Sequence, residues 1–260
     1  MMINDKEIMN TLQNYYDIAA CDYNVFGIFL YGSQNYGLST QYSDVDAVAI
    51  VFPTYKNIVF KEKDVYKEIT GGNGNFHYQE VRDFFNQLRK GNPNAIEILT
   101  TDYYIINPDY AYYWNSIRNN KNIIWQVNPS ATFKALEGMY NSYMKKFDSD
   151  NKPKNFIGAC RVLMLADQFL DFIQWGNEEP SFMLEVCDSW ELIGYKLGKL
   201  EILNSTIQIK KEKAKSLFHE CSLFHECLDN YEDSNAISIL NDIQESLMTK
   251  YIEGGMTYFK

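Results

Sequence analysis

The sequence predicts an α+β protein, with an N-terminal sheet, flanking helices and a C-terminal α-helical domain. Three short apolar runs typical of buried strands, at residues 26–31, 45–52 and 76–81, lie in the first half between Gly-, Pro- and Asn-containing turns. From residue 128 onward, the apolar residues recur almost entirely at helical spacing. We therefore predict one domain over residues 1–127 and a helical domain over residues 128–260.

The first elements follow from local patterns. Residues 4–21 are predicted to form a helix, because their apolar side chains repeat at a 3.6-residue spacing. Between the first two strands, residues 34–38 have room for one or two helical turns. The second strand ends at Pro53, which cannot donate a hydrogen bond to a sheet.

The segment after the third strand is predicted to be helical. Residues 82–90 place apolar side chains on one side, and Gly91 gives this helix a left-handed stop. Glu97 follows in an otherwise apolar helix, and a buried carboxylate there needs a partner. Two roles stay open for Glu97, a salt bridge that fixes the preceding turn and a part in substrate binding.

The second half is predicted to be helical throughout. A polar linker is expected at residues 148–155, DSDNKPKN. The predicted helices cover residues 131–147, 155–175, 179–199, 210–231 and 235–252.

Composition excludes some function classes. The formal net charge is −10, and the chain has only four arginines, which argues against an extended footprint on duplex nucleic acid but not against a short RNA end. The five cysteines form no CxxC pair, and no apolar run is long enough to cross a membrane. With no signal peptide recognisable, we expect a reduced, cytoplasmic protein without a membrane partner.

The chemistry-bearing residues flank the first two strands. Asp44 and Asp46 are two apart, so on an extended chain they leave the same face, roughly 6.6–6.8 Å apart along the strand. Such a pair needs a cation, and hard oxygen ligands suit Mg²⁺ (or Mn²⁺) bridging to phosphate. Gly32 and Ser33 are expected to open a helix whose free N–H groups favour a phosphate. Either pattern alone is usually a plain turn or a solvated strand end, whereas the combination indicates phosphoryl or nucleotidyl transfer.

The combination resembles the nucleotidyltransferase superfamily of DNA polymerase β, the CCA-adding enzymes and the aminoglycoside nucleotidyltransferases. The signature GSxxxG followed by SDxD is present from Gly32 to Gly37 and from Ser43 to Asp46. The block GNPN followed by IEIL, at residues 91–99, is similar to the predicted bacterial and phage nucleotidyltransferases of this superfamily. The resemblance implies a polymerase-β-like catalytic sheet that binds an NTP, such as ATP, together with magnesium.

The resemblance also implies a third carboxylate on a neighbouring strand, as metal ligand and general base. Glu80 is the candidate, because it ends a predicted strand just before a helix, although a surface or helix-start role is equally open. Some relatives place an Asp nearer position 75, where this chain has Asn75, and Asp64 is the next candidate after Glu80.

The resemblance places a basic Lys…Arg pair on a helix of the second domain. Lys154 and Arg161 are seven residues apart, two helical turns, so they match that pair and are candidates for binding the triphosphate. A solvated helix face explains them equally well.

We therefore expect a magnesium-dependent transfer of NMP from an NTP to a hydroxyl acceptor, with release of pyrophosphate. The acceptor stays open among an RNA 3′ end, a protein hydroxyl and a small molecule. The alternative is an NTP-binding regulatory or partner-binding module that has lost catalysis, an alternative that the uncertain third carboxylate keeps open.

Overall fold

The computed structural model describes residues 5–40, 43–60, 68–71, 74–176, 180, 186–227 and 233–254. It confirms the α+β class, with a five-stranded mixed sheet and a mainly helical second half. The helices are α1 (Asp5–Asp22), α2 (Tyr55–Val59), α3 (Val81–Arg89), α4 (Pro93–Thr100), α5 (Ala111–Asn119), α6 (Lys121–Trp125), α7 (Pro129–Asp150), α8 (Pro153–Trp175), α9 (Val186–Lys196), α10 (Asn204–Cys227) and α11 (Ser234–Glu253). The strands are β1 (Val25–Tyr31), β2 (Asp46–Val51), β3 (Glu68–Gly71), β4 (Gly74–Glu80) and β5 (Tyr104–Ile106).

The sheet has the order β3-β4-β2-β1-β5. β1 and β2 are antiparallel, as are β1 and β5, and β3 and β4. β2 and β4, in contrast, run parallel, so both strands begin at the same edge of the sheet. This parallel pairing decides which side chains of β4 lie beside the beginning of β2.

The two faces of the sheet enter two apolar cores. Alternation along β2 places Ala47, Ala49 and Val51 in a smaller core against α1. Val48 and Ile50 face a larger core that also takes in α3, α4 and the helices after residue 128. Since this second core continues from the sheet into the helical half, most of the buried apolar side chains in the described part of the chain share one interior.

The last helix packs back onto the N-terminal half. Tyr251 on α11 stacks on Phe52 with ring centroids 4.3 Å apart, and its hydroxyl donates to the carbonyl oxygen of Pro53 at 2.9 Å. α11 also contacts α3, α5 and α6. The division into residues 1–127 and 128–260 stays a prediction.

Two local expectations differ from the structure. The polar stretch at residues 148–155 is not a linker, because α7 continues to Asp150 and α8 begins at Pro153. The break is short because Asn151 takes a left-handed conformation, φ 51°, that ends α7, and Asp150 accepts hydrogen bonds from the Lys152 amide and the Asn155 side chain. Residues 34–38 do not form an α-helix: Gln34 ends a single 3₁₀ turn over Gly32–Gln34, and residues 35–37 form turns.

Within the described ranges, none of the helices combines the length and the apolar character needed to span a membrane.

Candidate active site

The candidate site lies where β1 ends and β2 begins. Tyr31, the last residue of β1, pairs directly with Asp46, the first residue of β2. Gly32 follows with φ 81°, a left-handed conformation that favours glycine. A Cβ built on Gly32 would lie 3.3 Å from Oδ2 of Asp46, so the Asp46 carboxylate rests against the turn. The structure therefore brings the Gly-Ser turn and the second aspartate together.

The turn differs from the expected helix N-terminus. It is a 3₁₀ turn of three residues, closed by the Asn35 amide donating to the Gly32 carbonyl oxygen at 2.9 Å. The Gly32 N–H, expected to face a phosphate, donates to Oε1 of Glu97 at 3.2 Å. Among the described residues, the Ser33 hydroxyl has no hydrogen-bond partner. Hence Glu97 fixes the turn, and the Ser33 side chain is a donor available to a ligand.

Glu97 is the buried anchor of this turn. Glu97 is 1% exposed. Its carboxylate also accepts hydrogen bonds from the side-chain Nδ2 of Asn35 at 3.3 Å and from the Tyr36 hydroxyl. Arg161 lies over the Tyr36 ring, 3.7 Å from the centroid to the guanidinium carbon. Burial raises the pKa of Glu97 to about 7, against lowering contributions from Arg161 and from the hydrogen bonds. Of the two predicted roles of Glu97, the geometry matches fixation of the turn, with hydrogen bonds from Gly32, Asn35 and Tyr36 in place of the predicted salt bridge.

The two aspartates differ in exposure. Asp44 is exposed and Asp46 is partly buried, on the face of β2 that also carries Val48. Between them, Val45 is held by Tyr15, whose hydroxyl donates to the Val45 carbonyl oxygen at 3.2 Å. Burial, followed by the charges of Asp46 and Asp44, raises the pKa of Tyr15 to about 12, so this phenol stays neutral beside the pair.

Lys196 is a site residue that sequence reasoning missed. It lies at the end of α9, and its Nζ donates to the Leu38 carbonyl oxygen at 2.8 Å and to Oγ of Ser43 at 3.0 Å. Burial lowers the pKa of Lys196, while the charges of Asp44 and Asp46 oppose that shift. Lys196 therefore brings a positive charge from the helical half to the loop that carries the aspartates. No spacing rule links it to a motif more than 150 residues upstream.

Glu80 does not lie beside the aspartates, which corrects the expectation for the third carboxylate. In the parallel β2–β4 register, Ala47 pairs with Phe76 and Val51 pairs with Glu80. Glu80 is therefore about five residues, roughly 16 Å, farther along the sheet than Asp46. Its carboxylate instead binds the Arg82 guanidinium through two hydrogen bonds.

Asn75 occupies the place beside Asp46. A Cβ on Gly74 would lie only 2.3 Å from the Val45 carbonyl oxygen, so the start of β4 runs tightly against the residue between the aspartates. Asn75 comes next, one position before the Phe76–Ala47 pair, on the same face of β4 as His77. The other candidate, Asp64, lies outside the described residues.

The predicted Lys154–Arg161 pair is split between surface and interior. Lys154, in the first turn of α8, is exposed and makes no ion pair with the described residues. Arg161 is 8% exposed and faces Tyr36 and Glu97. Seven residues of helix place them about 10 Å apart along the axis. A role of this pair in triphosphate binding stays a prediction. Arg161 already contacts Tyr36, next to the Gly32 turn.

The donors present fit a magnesium ion as a partial set. Asp44, Asp46 and the amide oxygen of Asn75 are hard oxygen donors at one edge of the sheet, and Mg²⁺ usually keeps waters and substrate phosphates as further ligands. In the part of the chain that the structure describes, no group of three or more His, Cys, Asp or Glu residues is arranged to hold a metal alone.

No protein-family model and no curated protein matches this sequence. Among solved structures, the chain is similar to a nucleotidyltransferase-like protein from Exiguobacterium sibiricum, with a TM-score of 0.35 and 15% sequence identity. The match covers 95% of this chain and 92% of that one. A likeness at this level assigns no function.

Proposed function

We propose that this chain is a magnesium-dependent nucleotidyltransferase, which transfers NMP from an NTP to a hydroxyl acceptor and releases pyrophosphate. The observation that supports this most strongly is the packing of Gly32 against the Asp46 carboxylate at the end of the β1–β2 pair. A turn closed by glycine lets a phosphate approach the backbone, and the neighbouring carboxylates supply the charge that a metal–nucleotide complex needs.

Each residue of the site is assigned a role according to its position. Asp44 and Asp46 hold the metal, with the Asn75 amide oxygen beside them. When bound, Mg²⁺ neutralises the phosphates and polarises the α-phosphoryl group. The Ser33 hydroxyl donates to a terminal phosphate, and Lys196 adds positive charge from the loop side. Glu97 touches no substrate and acts by holding the Gly32 amide in place.

A second candidate function is an NTP-binding module without turnover. Asn75 favours it, because an amide replaces a carboxylate at the position beside Asp46 and cannot accept the proton of an attacking hydroxyl. Nucleotide binding does not require that proton transfer. Asn75 is therefore compatible with nucleotide binding but does not supply the base for catalysis.

One assay distinguishes the two functions. Each of the four α-³²P-labelled NTPs is incubated with the full chain, Mg²⁺ and one acceptor class, namely total RNA, lysate protein or an aminoglycoside panel. Transfer of label to one class supports the nucleotidyltransferase. Nucleotide binding without transfer supports the module, and the Asn75→Asp variant, which restores a third carboxylate, is then expected to gain transfer. If neither protein transfers label or binds an NTP, both functions are rejected.

A further inference from the structure

A polar cleft of about 860 Å³ extends along β4, between this strand and helices α3 and α4. Its size is that of a site for a small molecule, which typically needs 300–1,000 Å³. We refer to it as the β4 cleft. The lining residues that matter for its chemistry are Tyr31, His77, Gln79, Asn86, Gln87 and Asn94.

The β4 cleft begins next to the candidate active site. Tyr31, at one end, pairs with Asp46 across the β1–β2 ladder. Val48 lines the cleft from the same face of β2 as Asp46, roughly 6.6–6.8 Å farther along the strand, and pairs with His77 of β4. The end of the cleft at Tyr31 and Val48 therefore lies next to Asp46.

The lining suits a ligand rich in hydroxyl groups. Four carboxamides line the cleft, from Gln79, Asn86, Gln87 and Asn94. Gln79 and Gln87 already donate to Asp83, and the oxygens of Asn86 and Asn94 already accept from Arg89 and Tyr31. Because a carboxamide has two N–H donors and two acceptor lone pairs, each still offers a donor and an acceptor, the combination that a hydroxyl group uses. The rings of Tyr31 and His77 meet edge to face, with centroids 6.4 Å apart, and add an apolar surface at the end near Asp46. Amide groups around an aromatic surface match the alternating polar and apolar faces of a sugar ring.

The charges in the β4 cleft disfavour a polyanion. Its described lining contains two carboxylates, Glu80 and Asp83, and no lysine. Arg82 supplies one positive charge, which is bound to Glu80. A nucleic-acid backbone binds through cations that neutralise its phosphates, and this surface offers a net negative charge instead.

We infer that the β4 cleft is the acceptor site, and that it takes a hydroxyl-rich small molecule, uncharged or cationic, of the sugar or amino-sugar class. This inference rests on the proposed nucleotidyl transfer. In that step an acceptor oxygen forms a bond to the α-phosphorus, the bond from that phosphorus to the bridging oxygen breaks, pyrophosphate leaves with the electron pair, and the hydroxyl proton passes to water.

The test uses the full chain with labelled NTP, Mg²⁺ and three acceptor probes: maltotriose, a glucosamine trimer and a 12-nucleotide RNA with a free 3′-OH. The Asn86→Trp variant fills the cleft from an exposed position of α3, away from the aspartates. Asn119→Trp, at an exposed position near the end of α5, is the matched control. Calorimetry of the Mg²⁺–NTP complex accompanies every transfer assay.

We expect label on at least one sugar probe, reduced tenfold or more by Asn86→Trp and unchanged by Asn119→Trp, while nucleotide affinity changes less than twofold in both variants. Label on RNA alone, no label on any probe with nucleotide bound normally, or sugar labelling that Asn86→Trp leaves intact overturns the acceptor assignment. Absence of nucleotide binding in the unmodified chain rejects the proposed function itself, so the two failures are distinguishable.

Discussion

Glu97 provides a prediction whose size follows from its surroundings. The folded carboxyl has a pKa of about 7, because it is buried, whereas its ordinary value is 4.5. Between these two pH values the folded chain holds a proton that the unfolded chain has lost, so the free energy of unfolding falls as pH rises. With about 1.4 kcal/mol for each pKa unit, Glu97 removes roughly 3 kcal/mol between pH 4.5 and pH 8.

The Glu97→Gln variant isolates that contribution. Its amide cannot titrate, so the difference in unfolding free energy between the original chain and the variant should shrink by roughly 3 kcal/mol across this pH range. Urea unfolding at half-unit pH steps measures the difference, and the exposed Glu245→Gln on α11 serves as control. Parallel pH profiles for the original chain and Glu97→Gln would refute a buried, proton-binding Glu97.

Three further predictions concern single side chains. Lys196→Met should weaken binding of Mg²⁺–NTP by about tenfold or more, measured by calorimetry, because a charged hydrogen-bond donor is lost; unchanged affinity would remove Lys196 from the site. Gly74→Ala should lower unfolding stability by about 1–3 kcal/mol, since its Cβ would meet the Val45 carbonyl oxygen at 2.3 Å, whereas Gly138→Ala, with open space around it, should not destabilise. Glu80→Gln should keep kcat at saturating acceptor and lose about 1–3 kcal/mol of stability, because a largely buried carboxylate loses its charged hydrogen bonds to Arg82; a hundredfold loss of kcat would show that the strand register misplaces it.

Local patterns in the sequence were enough for most of the individual elements. The apolar runs gave β1 and β2 within one residue at each end, and helical spacing gave α1 and α11 equally well. The sequence also predicts that a buried Glu97 needs partners, and the structure confirms this, because desolvation of a carboxylate is costly in any fold.

The direction in which strands pair could not be read in the same way. The position of Glu80 at the end of a strand predicts a third carboxylate there, yet β4 runs parallel to β2, so the beginning of β4 reaches Asp46 and its end does not. Apolar alternation is the same in both directions along a strand, which leaves this choice undetermined. The placement of Asn75 therefore needed the register.

Contacts between segments that are distant in the sequence could not be predicted from local patterns either. Lys196 meets the loop after Leu38 only because α9 packs against α8 and returns to the sheet edge. Arg161 was a predicted ligand for phosphate, and the fold instead buries it against Tyr36, since its helix enters the larger core. Both outcomes depend on tertiary packing, which a single sequence does not encode in its spacing.

In the proposed site, Asp44 and Asp46 hold a metal–nucleotide complex beside the Gly32 turn. The most direct measurement is calorimetric titration of each NTP into the original chain, Asp46→Asn and the exposed control Asp242→Asn, with Mg²⁺ and with EDTA. We predict binding that is lost with EDTA, falls at least tenfold in Asp46→Asn at an unchanged melting temperature, and persists in Asp242→Asn. Equal affinity with and without metal, or in Asp46→Asn and the original chain, would contradict the site.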